Sequence, residues 1–153
     1  MKLESAEKKI LGLLQKDGHL SNARLAEKVG LSESPCFRRV KQMESEGLIK
    51  GYAAIVDQRI LGLDITAFVQ ITMKDQTSYD EQQFSACVMA DDYIVECYAM
   101  SGHYDYLMKV VARNMDHFSE IAMRRILAFP GVKSIESSFN LKEMKNSHCL
   151  PAN

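Results

Sequence analysis

The chain has 153 residues, of which 46% are hydrophobic and 25% charged, which is typical of a soluble globular protein with one ordinary domain or two small ones. No apolar run approaches the roughly 18 residues of a membrane span, and no apolar segment near the N-terminus resembles a secretory signal, so we expect a cytoplasmic protein. The net charge is −1, but residues 1–57 carry 10 basic and 8 acidic side chains whereas residues 58–153 carry 9 and 12. Any affinity for a polyanion must therefore come from locally placed cations and from several copies of the chain.

The first two predicted helices are short and carry recognisable end signals. Apolar residues at helical spacing predict a helix over residues 6–16, with Ser5 as its N-cap. Ser21 is the expected N-cap of a second helix, because its hydroxyl can accept a bond from a backbone N–H in the first turn. Gly30 permits the left-handed turn that closes this helix.

The third predicted helix begins at Ser34 and ends at Gly47, and Pro35 occupies a position where its missing N–H costs nothing. Residues 48–56 then predict a short hairpin, the wing. Three apolar residues at i, i+4 and i+7 of the helix should face the core: Cys36, Val40 and Met43.

A short capped helix that presents basic and hydroxyl groups at its N-terminal end is what reading the major groove of DNA requires. Arg38 is the best base-reading candidate, because a guanidinium can bond O6 and N7 of guanine at once. The alternative is a solvated basic helix face, and the preceding turn and following wing favour DNA contact instead. Hydroxyls, helix N–H groups and a lysine in the wing suit phosphate oxygens. The expected contacts are Ser32, Ser34, Pro35, Arg38, Arg39, Lys41, Gln42 and Lys50.

From residue 64 the hydrophobic period changes from helical to alternating. The resulting order of elements, β-α-β-β-α-β, is that of the ferredoxin-like fold. We therefore predict an α+β protein with a winged helix-turn-helix over 1–57, a hinge over 58–63 and a ferredoxin-like domain over 64–153. The predicted elements of that domain are strands at 64–74, 93–100, 104–111 and 132–142 and helices at 79–90 and 114–129.

Catalytic and metal-binding motifs are absent from the sequence. The four cysteines form no CxxC pair, the four histidines are scattered, and no phosphate-binding or nucleophile motif occurs. We expect Cys36, Cys87 and Cys97 to be buried as small apolar residues and Cys149 to be an exposed thiol. The sequence thus predicts neither an enzyme nor a metal or cofactor site.

Three motifs connect the two halves: NARLAEKVGLSESPCFRRVKQMESEGLIKGY, SGHYDYLMKV and FPGVKSIESSFNLKEMK. Through them, residues 6–150 resemble the Lrp/AsnC family of transcription regulators. The resemblance implies a DNA-binding domain followed by an amino-acid-sensing domain, and a nucleoid-associated protein. It also implies dimers that pair sheet to sheet and commonly close into octamers, with the amino acid bound between dimers near the glycine turn.

At the glycine turn, the resemblance implies specific roles for individual residues. Gly102 would let the backbone of an amino acid approach, although it could be only a hairpin glycine. Asp105 would hold the ligand ammonium or instead cap the loop. Met100 and Tyr104 would line a pocket for leucine, methionine or cysteine. The full implied effector set is Met100, Ser101, Gly102, His103, Tyr104, Asp105, Ser137 and Ser138.

Two other interpretations remain open. The chain could be a small-molecule-binding or enzymatic ferredoxin-like oligomer whose N-terminal helices only assemble, but such helices should expose apolar groups rather than arginine, serine and glutamine. It could also be a regulator that has lost its ligand. For the dimer we expect an apolar sheet face formed by Ile65 or Phe68, Val95 or Tyr98, and Phe139.

Overall fold

The computed structural model describes residues 3–74 and 78–152. These residues form two compact units, one from Met1–Ile55 with Met144–Asn153 and one from Val56–Glu143. The C-terminal tail therefore belongs to the first unit, although the sequence placed residues 64–153 together. The tail is held there by tertiary contacts: Ala152 packs against the core of the first unit, and the Gln15 side-chain amide donates to the Leu150 carbonyl.

The first unit contains α1 (Ser5–Leu14), α2 (Asn22–Val29) and α3 (Glu33–Ser45). The predicted caps of α2 are confirmed: Ser21 Oγ accepts from the backbone N–H of Arg24, and Gly30 has φ 77°. The core combines two residues from every helix, as amphipathic spacing predicts: Ile10, Leu11, Leu25, Ala26, Cys36 and Met43.

Two predicted helix starts are wrong, that of α1 by one position and that of α3 by two. The N-cap of α1 is Glu4 rather than Ser5, because Glu4 and Glu7 form a reciprocal capping box. The N-cap of α3 is Ser32, so Pro35 is the third helical residue, where its N–H would still be unpaired.

The predicted wing hairpin is not formed. In the described part of the chain, residues 48–56 contain no strand. The first half of the segment instead contacts α3, since Ile49 N–H donates to the Met43 carbonyl at 3.0 Å and the Tyr52 hydroxyl donates to Glu44 at 3.1 Å.

The second unit is an antiparallel sheet with strand order β2-β3-β1-β4 and helices on one face. The strands are β1 (Ile65–Met73), β2 (Ile94–Ala99), β3 (Tyr106–Ala112) and β4 (Val132–Phe139). Helix α4 spans Ser78–Ala90, and α5 spans Met115–Glu120 before continuing as a π-helical turn (Ile121–Arg125) and a 3-10 turn (Ile126–Ala128). The predicted β-α-β-β-α-β order is confirmed, and Asn114 caps α5 by accepting from His117 N–H at 2.9 Å.

The two faces of the sheet differ in covering. Ala67, Val69 and Ile71 are fully buried beneath the helices, whereas Phe68 between them is exposed on the open face. Directly paired residues of antiparallel strands point to the same face. Phe139 pairs with Ala67 and packs on Phe118, with ring centroids 4.9 Å apart, so its expected place on the open face is wrong.

The remaining expected positions agree with the structure in part. Ile65 also packs against the covered core, which leaves Phe68 as the open-face residue of that expected pair. Leu141 lies beyond the end of β4 and is exposed, although the sequence placed it within the strand. All four cysteines carry free thiols: Cys36 is buried and Cys149 exposed, as expected, but Cys87 and Cys97 are only half-buried.

Candidate DNA-reading surface and effector loop

The solvent face of α3 forms one continuous strip. Because Cys36 and Met43 are fully buried on the inner side, helical geometry turns the opposite residues outward. Arg38 lies in this strip, and among the described residues its guanidinium has no hydrogen-bond or ion-pair partner. The exposed residues of the strip are Glu33, Ser34, Phe37, Arg38, Lys41, Gln42 and Ser45.

Arg39 points elsewhere, although the sequence grouped it with the DNA contacts. It precedes Met43 by one helical turn, so its side chain lies toward α1. Its Nη1 contacts Glu4 Oε2 at 3.0 Å and Glu7 Oε1 at 2.9 Å. The bond to Glu4, supported by that to Glu7, raises the pKa of the Arg39 guanidinium. Arg39 therefore links α3 to α1.

Sequence reasoning assigned Glu7 no role beyond its place near the start of α1. Its side chain is only 8% exposed and accepts both Arg39 Nη1 and the Glu4 backbone N–H, the latter at 2.7 Å. A glutamate three residues after a possible N-cap was the available signal, because that is the spacing of a capping box. The arginine partner lies more than thirty residues away in the sequence and is visible only in the fold.

Two other polar side chains of the strip have partners near the C-terminal end of α3. Lys41 Nζ lies 2.7 Å from Glu44 Oε2, and Gln42 Nε2 donates to Glu46 Oε1 at 2.8 Å. The hydrogen bond from Lys41 lowers the pKa of the Glu44 carboxyl. Lys41 already shares its charge with Glu44, whereas the Arg38 guanidinium has no such partner among the described residues.

The start of α3 is ordered by its neighbour α2, since the Asn22 amide donates to the Glu33 carbonyl at 2.9 Å. Ser32, Ser34 and Pro35 occupy the N-cap and the second and third helical positions. The Ser32 side chain makes no capping bond within the described chain, and the exposed Ser32 and Ser34 lie at the N-terminus of the helix with its first N–H groups. Such groups suit an anion such as a phosphate. Lys50, beyond α3, is also exposed.

In the second unit, residues 100–105 form the loop that joins β2 to β3. Met100 N–H donates to the Asp105 carbonyl, and Asp105 N–H donates to the Ile71 carbonyl, both at 2.8 Å. Gly102 has φ 132°, a conformation that favours glycine, and a Cβ built there would lie more than 4 Å from every described neighbour. Glycine is thus required by the backbone, and the space beside it is open.

The Asp105 carboxylate has a structural partner. Its Oδ2 accepts the Met73 backbone N–H at 2.7 Å, where the register of β1 and β4 shifts between Thr72 and Met73. Of the two roles that the sequence left open for Asp105, the structure therefore shows the bond that holds the loop to β1.

The two serines of the expected effector set point to opposite faces. Ser138 pairs with Phe68 of the open face, whereas Ser137 pairs with Val69 of the covered face. Both lie two strands from β3 and three to four residues along the sheet from Asp105, a separation of roughly 15 Å at ordinary strand spacing. Within one chain, the structure does not bring the serines to the loop.

The other residues of the loop provide both polar and apolar side chains. Ser101 and His103 are exposed, Tyr104 is half-buried, and Met100 is 38% exposed.

Within residues 3–74 and 78–152, no cluster of three histidine, cysteine or acidic side chains could hold a metal ion. None of the helices described there combines the length and apolar character that crossing a membrane would need.

Family comparisons cover both units. Residues 3–50 match a winged helix-turn-helix DNA-binding model, and residues 66–149 match the Lrp/AsnC ligand binding domain. The leucine-responsive regulatory proteins of Salmonella typhimurium and Escherichia coli K12 are 35% and 34% identical over 148 residues, which cover 97% of this chain and 90% of each relative.

Solved structures agree over nearly the full length. A transcriptional regulator of Neisseria meningitidis in complex with L-Met has a TM-score of 0.96 at 36% identity, covering 99% of this chain and 98% of that one. An AsnC family regulator of Agrobacterium tumefaciens has a TM-score of 0.92 at 34% identity, covering 97% of both.

Proposed function

Because the chain belongs to the Lrp/AsnC family of DNA-binding transcription regulators, which join a winged helix-turn-helix to an amino-acid-binding domain, we propose that Arg38 is its principal base-reading side chain. The relatives are regulators rather than enzymes, so the alternative of an enzymatic oligomer is set aside. Apart from Phe37, the outer face of α3 is polar and basic, which also argues against helices that serve only for assembly. As a regulator bound to the chromosome, the protein works in the cytoplasm as part of the nucleoid.

One observation carries the proposal for DNA: Arg38 is exposed on the N-terminal half of α3 and lacks a partner within the described chain. A guanidinium in that position can bond guanine O6 and N7 without first breaking another interaction. Ser32, Ser34 and Lys50 supply phosphate contacts, and Lys41 and Gln42 add contacts through the donor hydrogens that their glutamate partners leave free.

The test is selection of duplexes from a random DNA library by the full chain, followed by titration of the recovered sequence at fixed salt. A defined recovered motif supports the proposal. Recovery of unrelated sequences, all bound with one affinity, contradicts it, because phosphate contacts alone do not discriminate between sequences.

For the effector, we propose an amino acid of the leucine, methionine or cysteine class on the loop at residues 100–105. The N. meningitidis relative was solved with L-Met, which favours this class. The open space beside Gly102 receives the ligand backbone, and Met100 and Tyr104 contact its side chain. Asp105 shapes the loop through Met73 N–H.

Because Ser137 and Ser138 lie far from the loop within one chain, they reach the ligand only from a second copy. A ligand shared between copies binds assembled chains better than separated ones, which is what changing the assembly requires. A thermal-shift screen of the twenty amino acids tests the class, since a ligand at 100 times its Kd adds about 2.7 kcal/mol of stability.

We also propose that dimers form through the open face of the sheet and close into octamers. Phe68, Val95 and Tyr98 expose between 38% and 52% of their surface there. Such apolar groups on one face suit burial against a second copy. Light scattering that reports the 17.3 kDa monomer at micromolar concentration would contradict this assembly.

A further inference from the structure

The single aromatic side chain of α3 lies inside the exposed strip that carries Arg38. Phe37 is the fifth residue of the helix and is 53% exposed, whereas the adjacent Cys36 is fully buried. Phe37 lies one helical turn after Glu33 and one turn before Lys41, next to Arg38. Its ring therefore belongs to the same surface as the proposed base-reading arginine and contributes little to the core.

The Phe37 ring has a neighbour that restricts its orientation. Lys41 Nζ lies 5.7 Å from the ring centroid and is itself held at 2.7 Å by Glu44. A cation over the face of an aromatic ring is attracted by the ring quadrupole. One face of the ring is therefore turned toward this lysine, and about half of the side-chain surface stays exposed.

In the major groove, the apolar feature that an aromatic side chain can recognise is the C5 methyl group of thymine. We propose that Phe37 reads a thymine methyl, so that each half-site contains a thymine that the arginine alone does not specify. This inference rests on the proposed DNA-binding function and names a base for it. Because a helix rises about 1.5 Å per residue and base pairs are about 3.4 Å apart, this thymine lies within about two base pairs of the guanine bonded by Arg38.

The experiment removes one methyl group at a time. The full chain selects its motif from a random library, and each thymine of the motif is then replaced by deoxyuridine, which pairs identically but lacks the methyl. Affinities are measured for wild type, Phe37→Ala and Phe37→Leu. Arg38→Ala is the control, because it weakens binding without touching the methyl contact.

For wild type, replacement of the critical thymine should weaken binding about fourfold per half-site, the equivalent of one buried methyl-sized group, and about 15-fold when both half-sites are changed. Phe37→Ala should bind both duplexes equally, at the affinity of wild type for the uracil duplex. Phe37→Leu should retain part of the methyl dependence, and Arg38→Ala all of it.

Two results would overturn the inference: no thymine whose methyl matters to wild type, or an equal loss for wild type and Phe37→Ala. Failure of wild type to select any motif would instead refute the DNA-binding proposal itself. Melting temperatures of the variants establish that each is folded, and the leucine variant provides the comparison if the alanine variant is not. A changed oligomeric mass for Phe37→Ala with no methyl dependence in wild type would mean that the ring contacts protein rather than DNA.

Discussion

Arg38 and Arg39 are chemically identical neighbours in different environments, and we expect their alanine variants to fail in different ways. Arg38 is exposed and has no partner in the described chain, whereas Arg39 is bonded to Glu4 and Glu7. Arg38→Ala should therefore weaken operator binding without changing the unfolding temperature. Arg39→Ala should lower the unfolding temperature of the first unit and leave the sequence preference of the folded protein intact.

The size of the Arg38 effect follows from the lack of a partner for its guanidinium in the described chain. Since no existing bond must be broken, the whole value of a bidentate base contact is available on binding, about 1–3 kcal/mol. That corresponds to a loss of about 5- to 150-fold per half-site, and a dimer on two half-sites loses it twice. The loss should be specific to the guanine that Arg38 contacts, so discrimination against other bases at that position should disappear as well.

Fluorescence anisotropy at one fixed salt concentration measures this loss on the selected duplex and on a scrambled duplex, because affinity for DNA depends steeply on salt. Both variants remove one positive charge, so a general electrostatic effect would weaken them equally on both duplexes. The reasoning is refuted if Arg38→Ala keeps the affinity and preference of wild type. It is also refuted if folded Arg39→Ala loses the preference to the same extent.

Three further substitutions test the links that the structure shows. Glu7→Ala should destabilise the first unit by about 2 kcal/mol in chemical denaturation, because it removes a helix cap and a buried partner of Arg39. Glu7→Gln should destabilise the unit less, because its amide oxygen can still accept one of these hydrogen bonds. Asp105→Asn should keep its affinity for the effector in calorimetry, because the asparagine amide oxygen can still accept the Met73 N–H. Asp105→Ala should lose that affinity, because it removes the acceptor. If both variants lose affinity, the charge of Asp105 itself holds the ligand. Gly102→Trp should abolish the effector response while sparing DNA binding. Gly102→Ala strains the same backbone without adding bulk, so it should respond to the effector more strongly than the tryptophan variant. An equal response of the two variants would place the ligand elsewhere.

The local sequence determined the helices and strands of this protein and their order, although it also predicted a wing hairpin over residues 48–56 that is not formed. Alternating apolar residues predicted β1, and the capping roles of Ser21, Gly30 and Asn114 were all found in the structure. These features depend on residues within about four positions of each other, so they can be recognised without knowing the fold. The outward position of Arg38 followed in the same way from the inward positions of Cys36 and Met43.

The same local patterns did not determine which groups meet across the fold. The ion pairs of Arg39 depend on Glu4 and Glu7, which lie more than thirty residues earlier in the chain. The hydrogen bond of Asp105 depends on the Met73 N–H of β1, which strand pairing brings near. The C-terminal tail carries no strong local pattern, and it joins the first unit because Ala152 and Leu150 find partners there. Sequence periodicity specifies which way a side chain points along its own helix or strand, but only tertiary packing decides which partner occupies that direction.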